Sequence, residues 1–413
     1  MRSNLRKRAC KETDKKFRPA VTPVRETYTI FADGSHIRLP VASVIEVPRP
    51  YIISPLPMHA NPSLINTLTQ QAVDLLQQII CLPAPSREEG KRADFIEHFM
   101  REKGLQPHRH GHNLWSLAAH WDPQRPTLLL NAHIDTVHPV AGWTREPFSV
   151  TREGERLYGL GTNDCGGGLA SLLCVFAALH REPRTAYNLV FLASAEEEVS
   201  GRAGIESVLP LLPPIDLALV GEPTGRQPAI AEKGLMVLDC TAHGRSGHAA
   251  REEGINALYE ALPDIAWIQQ HHFPKISPLL GAVKATVTMI QAGTQHNVIP
   301  DTCTFTVDVR SNELYSNAEL LTHFQENLKA EVKARSTRLG SSGISAEHPL
   351  VQRIIALGRQ PYGSPTLSDQ ALMPWPSFKF GPGESARSHT ADEYIETTEI
   401  RGFIEDLCHI LTE

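Results

Sequence analysis

Thr127-Leu-Leu-Leu-Asn-Ala-His133-Ile-Asp135 is a short apolar run that ends in an imidazole and a carboxylate. Runs of this length suit strands buried on both faces, as in a parallel sheet. Residues 188–193 and 216–220 have the same texture, and helical patterns such as residues 168–180 separate the runs. Buried strands spaced by helices predict an α/β layer fold. Each of the three runs leads directly into histidine or acidic residues. Open α/β sheets bind ligands beyond the carboxyl ends of their strands, so a site is predicted along one sheet edge.

Working outward, Leu64, Leu68, Val73, Leu76 and Ile80 recur near helical spacing. A second helix is predicted to open on a Ser86-x-x-Glu89 capping box and to stop at Gly104. Residues 1–57 differ from the rest: basic at first, then rich in proline, with a hairpin predicted around Asp33-Gly34 and no core of their own. Met58, just ahead of the first helical pattern, is a candidate translation start. Downstream the texture changes to a strand at 235–241, a helix near 256–270, alternating strands at 284–291 and 302–309, and a helix after Ser316-Asn-Ala-Glu319. Strand-helix-strand-strand-helix-strand predicts a small α+β module. A helical pattern from His348 resumes the first domain, so the module reads as an insertion. The predicted division is an N-terminal extension (1–57), a catalytic domain in two parts (58–234 and 344–413) and an inserted module (235–343). Two domains also suit 413 residues, more than one core usually spans.

Composition narrows the function. A net charge of −6 offers no positive field for a polyphosphate, so nucleic acid is not an expected partner. Even the apolar stretch 169–179 is too short to cross a bilayer, so no membrane is expected either. Seven scattered cysteines without a CxxC pair read as reduced, mostly buried thiols, which predicts a cytoplasmic protein.

The chemistry sits in five segments: His133-Ile-Asp135; Gly161-Thr-Asn-Asp164-Cys-Gly-Gly-Gly168; Glu196-Glu197-Glu198-Val199; Gly221-Glu222-Pro-Thr; and Gly381-Pro-Gly383 with the following Ser-His389-Thr-Ala-Asp-Glu-Tyr394. Residues two apart at a strand end point the same way, so His133 and Asp135 can face one site. The glycines let the chain turn sharply beside Asp164. Imidazole with several carboxylates suits Zn2+, Co2+ or Mn2+. Singly, each segment has an ordinary reading: a surface histidine, a solvated helix start, a turn. All five, each after a strand or in a Gly-rich loop, are much harder to assign to chance.

In this order the segments resemble the M20 metallopeptidase family, over residue 63 to the C-terminus. The resemblance implies a zinc-peptidase-like α/β catalytic domain with an inserted ferredoxin-like lid through which the chain dimerises. It implies two divalent ions, Zn2+ foremost with Co2+ or Mn2+ as alternatives: His133, Asp164 and Glu222 on one, Asp164, Glu198 and His389 on the other. Asp135 would orient His133, and Glu197 would be the general base that passes a proton to the leaving amine. A slip of one residue would move the base to Glu196. In the insertion, Gly244-Arg-Ser-Gly-His248 resembles the segment whose histidine reaches a partner subunit's scissile carbonyl. Asn297 and Arg310 match substrate-binding positions, Arg310 as a carboxylate clamp, with a turn and an ion pair to Asp308 as the plainer readings. Gly383 is counted with the substrate site. The motifs look most similar to the branch that deacetylates acetylornithine. That implies hydrolysis of a small N-acyl-L-amino acid, with N-acetylcitrulline, N-succinylornithine or a dipeptide as alternatives.

Overall fold

The computed structural model describes residues 61–251 and 253–412. The hairpin expected at Asp33-Gly34 and the candidate start at Met58 lie outside the described residues.

The first helix, Pro62–Ile80, is capped by Asn61, whose side chain accepts from the Leu64 N–H at 3.2 Å, with proline at its first turn. Its apolar face, including Leu68, Leu76 and Ile80, is buried. The second helix, Gly90–Glu102, lacks the expected capping box. The Ser86 hydroxyl donates to Asp135 at 2.7 Å instead, and Glu89 accepts the backbone N–H groups of Arg87 and Glu196 at 2.7 and 3.1 Å. Both side chains serve the site loops rather than the helix end.

Strands Asn188–Ser194, Thr127–His133, Leu217–Val220 and Ser377–Lys379 lie side by side in that order, all parallel. Asn113–Leu117 flanks them antiparallel on one side, and Ala229–Glu232 on the other. Every residue of Thr127–His133 and Asn188–Ser194 is buried. The alternation explains it: Leu128, Leu130, Leu189 and Phe191 enter the core under the helices, while Leu129, Val190 and Leu192 pack on the other face with Ile205, Val208 and Met373. Complete burial of each such side chain contributes about 1.5–3 kcal/mol. The stretch Thr162–Leu179 is apolar enough by length and composition to cross a membrane, contrary to the sequence expectation, but 83% of it is buried inside the protein. It includes the core helix Gly167–Leu179.

The insertion has its own core. Strands Lys284–Ala292, Thr302–Ser311, Gly234–His243 and Glu331–Ala334 form an antiparallel sheet in that spatial order, the ferredoxin-like arrangement. Met236, Leu238, Cys240, Phe305 and Val307 pack against helices Ala257–Gln270 and Asn317–Asn327. The second helix opens on a complete Ser316/Glu319 capping box. Ser342–Gly343 already pairs with Ala229–Glu232 of the large sheet. The chain beyond His348 is less helical than its pattern predicts: after Pro349–Ala356 it adds strands Tyr362–Ser364 and Ser377–Lys379 before the last helix, Thr397–Leu411.

Candidate metal centre and catalytic pocket

The four parallel strands end on one edge, and the loops leaving them converge there. His133 is the last residue of its strand; its Nε2 lies 3.2 Å from Asp164 Oδ1 and 3.6 Å from Glu222 Oε1. His389 Nε2 lies 2.8 Å from Glu198 Oε2 and 3.6 Å from Asp164 Oδ2. The two oxygens of Asp164 therefore face two different imidazoles, the arrangement a bridging carboxylate needs. Donor atoms of His133, Asp164 and Glu198 lie within 4.8 Å of one another, as do those of His133, Cys165 and Glu222. Asp164, Glu197, Glu198, Glu222 and His389 line a cavity of about 250 Å³, together with Tyr362, Ser364, Thr366 and Leu367.

Each side chain is held from behind. Glu393 accepts the N–H groups of Asn163 and Asp164 at 2.8 and 3.0 Å, fixing the turn that presents Asp164. His133 Nδ1 meets the Asp135 backbone carbonyl at 3.0 Å, while the Asp135 carboxylate, 3.5 Å away, accepts the N–H groups of Glu197 and Glu198 at 3.0 and 3.1 Å. Asp135 thus seats the glutamate turn as well as facing the imidazole. Glu196 has φ +54° and points away from the cavity, 4.0 Å from Arg87. The helix start packs on the Glu222 turn so closely that a Cβ on Gly168 would lie 1.8 Å from the Gly221 carbonyl. Gly383 has φ +80°, and a Cβ there would meet Asn163 Oδ1 at 2.2 Å, so it shapes the wall beside Asp164.

The charges are crowded. Burial, reinforced by Asp164, raises the Glu222 carboxyl to about 8. Burial also lifts Glu197 well above the usual carboxylate range and raises Glu198. Burial pushes Asp164 upward too, but its bond to His133 and the charge of His389 outweigh that and hold it low. The bond to Glu198 raises His389 to about 9. Glu222 Oε1 is buried without a hydrogen-bond partner. Four carboxylates and two imidazoles around an unpaired buried oxygen are a donor set that divalent cations fit.

Sequence reasoning missed the support. Lys379 is 2% exposed on the cavity wall, 3.2 Å from the fully buried Glu232, and donates to the Thr366 carbonyl and hydroxyl at 3.0 Å each. Glu232 also accepts from Ser368 and Gln370. Glu393 was visible in the Asp-Glu-Tyr segment; nothing in the sequence marked Lys379. Of the expected residues, His133 and Asp135 lie behind the lining against residues that form it, and Gly383 lies against Asn163, next to Asp164 in the chain. His248, Asn297 and Arg310 neither line this cavity nor bond to its donor cluster. His248 and Asn297 lie together, with Gly247–His248 paired to Val298–Ile299 and the Ala249 N–H bonded to Asn297. Arg310 holds Asp308 through two bonds of 2.8 and 3.1 Å.

Fold and site together define an α/β protein with a ferredoxin-like insertion and a donor cluster of the metal-binding type. Residues 129–413 match peptidase family M20/M25/M40, and the chain belongs to that family. It is 28% identical to a succinyl-diaminopimelate desuccinylase of Corynebacterium glutamicum over 82% of this chain and 95% of that one. It is 27% identical to an acetylornithine deacetylase of Proteus mirabilis, over 81% and 96%. Among solved structures it resembles aminopeptidase PepT of Bacillus cereus (TM-score 0.68, 17% identity, covering 83% and 98%). Another is the Bacillus subtilis YXEP protein, described as a dinuclear metal-binding peptidase of the M20 family (TM-score 0.64, 16% identity, covering 84% and 98%). Such relatives make this chain a hydrolase of amide bonds.

Proposed function

We propose that the chain hydrolyses the acyl–nitrogen bond of a small N-acyl-L-amino acid with two divalent ions, acetylornithine being the first substrate to test. The observation that carries this is Asp164 set between His133 and His389, with Glu222 and Glu198 on either side and Glu197 in the same cavity wall. His133, Asp164 and Glu222 would hold one ion, and Asp164, Glu198 and His389 the other. Bound ions supply the Lewis acidity that polarises the scissile carbonyl and acidifies water, Zn2+ foremost and Co2+ or Mn2+ also suited to these donors. The Glu197 carboxylate takes a proton from the attacking water and returns it to the departing amine nitrogen as the carbon–nitrogen bond breaks. Its raised affinity for protons suits that exchange near neutral pH.

The names of the matched relatives, deacylating a succinyl- and an acetyl-diamino acid, support the deacylase reading over a peptidase one. We further propose a homodimer joined through the insertion, in which His248 of the partner subunit donates to the developing oxyanion and Asn297 and Arg310 bind the substrate. Six free cysteines among the described residues support a cytoplasmic setting. The test is hydrolysis of N-acetyl amino acids, N-succinyl amino acids and dipeptides after metal reconstitution. Dipeptides outperforming every acylated amino acid would overturn the deacylase reading. Acetylornithine should also be cut far better than its α-carboxamide, and Arg310→Ala should lose that preference; equal discrimination removes the clamp.

A further inference from the structure

We infer that Cys165 is a sulfur donor to the ion at the His133/Glu222 position, making that position selective for thiophilic divalent ions. The inference rests on the two-ion reading above. A ring nitrogen of His133, the Cys165 sulfur and a Glu222 oxygen lie within 4.8 Å of one another. Ligands of a tetrahedral ion with bonds of about 2.0–2.3 Å sit roughly 3.5 Å apart, so a contraction on the order of 1 Å turns this group into three ligands. Cys165 is 1% exposed, and its thiol has a long 3.5 Å contact to the His133 backbone carbonyl, a weak bond that an ion readily replaces. Glu222 Oε1, the third member, is buried and accepts from no donor.

The backbone fixes the sulfur where it is. Cys165 is followed by three glycines, and a Cβ on Gly166 would meet the Gly161 carbonyl at 2.4 Å while one on Gly168 would meet that of Gly221 at 1.8 Å. The turn is packed against its own start and against the Glu222 loop, and Cys165 carries the first side chain beyond Asp164. Cys165 borders the same apolar core as Cys174 and Cys408, but among the described residues none of Cys174, Cys240, Cys303 and Cys408 belongs to such a donor group. Soft sulfur favours Zn2+ and Cd2+ over Mn2+, whereas imidazole and carboxylate alone discriminate much less. One of the two positions should therefore reject Mn2+ while the other, built from Asp164, Glu198 and His389, accepts it.

Cobalt substitution tests this without relying on turnover. Two bound Co2+ ions give visible absorption whatever their ligands, and a sulfur ligand adds a near-ultraviolet charge-transfer band. The wild-type protein should show both. Cys165→Ser should keep the visible absorption, lose the near-ultraviolet band, and lower the preference for Cd2+ over Mn2+ at one position by at least the tenfold that loss of a mere outer partner costs. X-ray absorption of the zinc-loaded wild type, which needs no variant, should show a zinc–sulfur distance of about 2.3 Å. Wild type loaded with two cobalt ions but lacking the band, or a Cd2+/Mn2+ preference unchanged in Cys165→Ser, overturns the sulfur ligand and leaves the two-ion reading standing. Failure of the wild-type protein to retain cobalt overturns both.

Discussion

At the scale of single residues, Asp135 shows how little freedom the site leaves. Its Oδ1 accepts the Glu197 N–H, and its Oδ2 accepts the Glu198 N–H and the Ser86 hydroxyl. In Asp135→Asn the new NH2 must face one of those N–H groups, donor against donor, and an unpaired buried N–H costs about 1–3 kcal/mol. That variant should fold, lose on the order of tenfold in zinc affinity by competition with a chelator, and lose kcat more than KM changes. The neighbouring glutamates separate by readout. Glu197→Gln should lower kcat by about 10²–10⁴ with ion content intact, since only the proton shuttle is lost. Glu198→Gln should lose ion affinity as well, because its carboxylate meets His389 at 2.8 Å. Equal, mild effects in both would reduce the triplet to an ordinary turn. The residues of the donor cluster were legible because each lies after a strand or in a Gly-rich loop, within a distinctive segment. Those behind them were not: Lys379 and Glu232 look like any charged pair until the fold buries them.

Among the elements, the parallel strands were readable because burial on both faces writes a continuous apolar run. Ser377–Lys379 was not, being three residues long, preceded by prolines and carrying a serine and a lysine. Register with Leu217–Val220 makes it a strand, not any pattern of its own. The Ser86 capping box failed for the opposite reason: a correct local signal was outbid by the loops beside it, whereas Ser316 has no such competitor and caps its helix. The short strand has a measurable role, since Lys379 ties the cavity wall at Thr366 to Glu232. Removing one partner of a buried pair strands the other charge, at about 3–5 kcal/mol. Lys379→Met should be destabilised by that amount in denaturant unfolding, and adding Glu232→Gln should restore a substantial part. A double variant no more stable than the single one would mean that the pair is not coupled.

For the whole molecule, the sheet of the insertion has two edge strands among the described residues, Lys284–Ala292 and Glu331–Ala334. Among the described residues Lys284–Ala292 pairs with Thr302–Ser311 alone and exposes Met289 and Ile290, the kind of unpaired edge that accepts another chain. If that edge joins two copies and His248 acts across it, mixing inactive His248→Ala with inactive Glu197→Ala chains should regenerate part of the activity. No recovery after verified subunit exchange would mean a site complete within one chain. The catalytic domain carries a second whole-molecule signature, in its response to pH without ions. Glu222 and Glu393 are raised to about 8 and Asp369 to about 7, in each case first by burial. Their unfolded values are near 4, so the folded protein binds more protons, and stability from these groups is complete below about pH 4 and lost as pH rises through 7 to 8. His389, raised to about 9 by Glu198, has the same sign and is lost as pH rises through that value. Asp164, held low, has the opposite sign, with its contribution lost only as pH falls below its ordinary range. Chelator-treated protein should therefore melt at progressively lower temperature from pH 5 to 8. Ions stabilise the charged form of Glu222 and favour the folded state by mass action, so the zinc-loaded protein should lose much less over the same range. The gap between the two melting curves should widen with pH, and a gap that stays constant from pH 5 to 8 would show that the buried carboxylates are not what the ions neutralise.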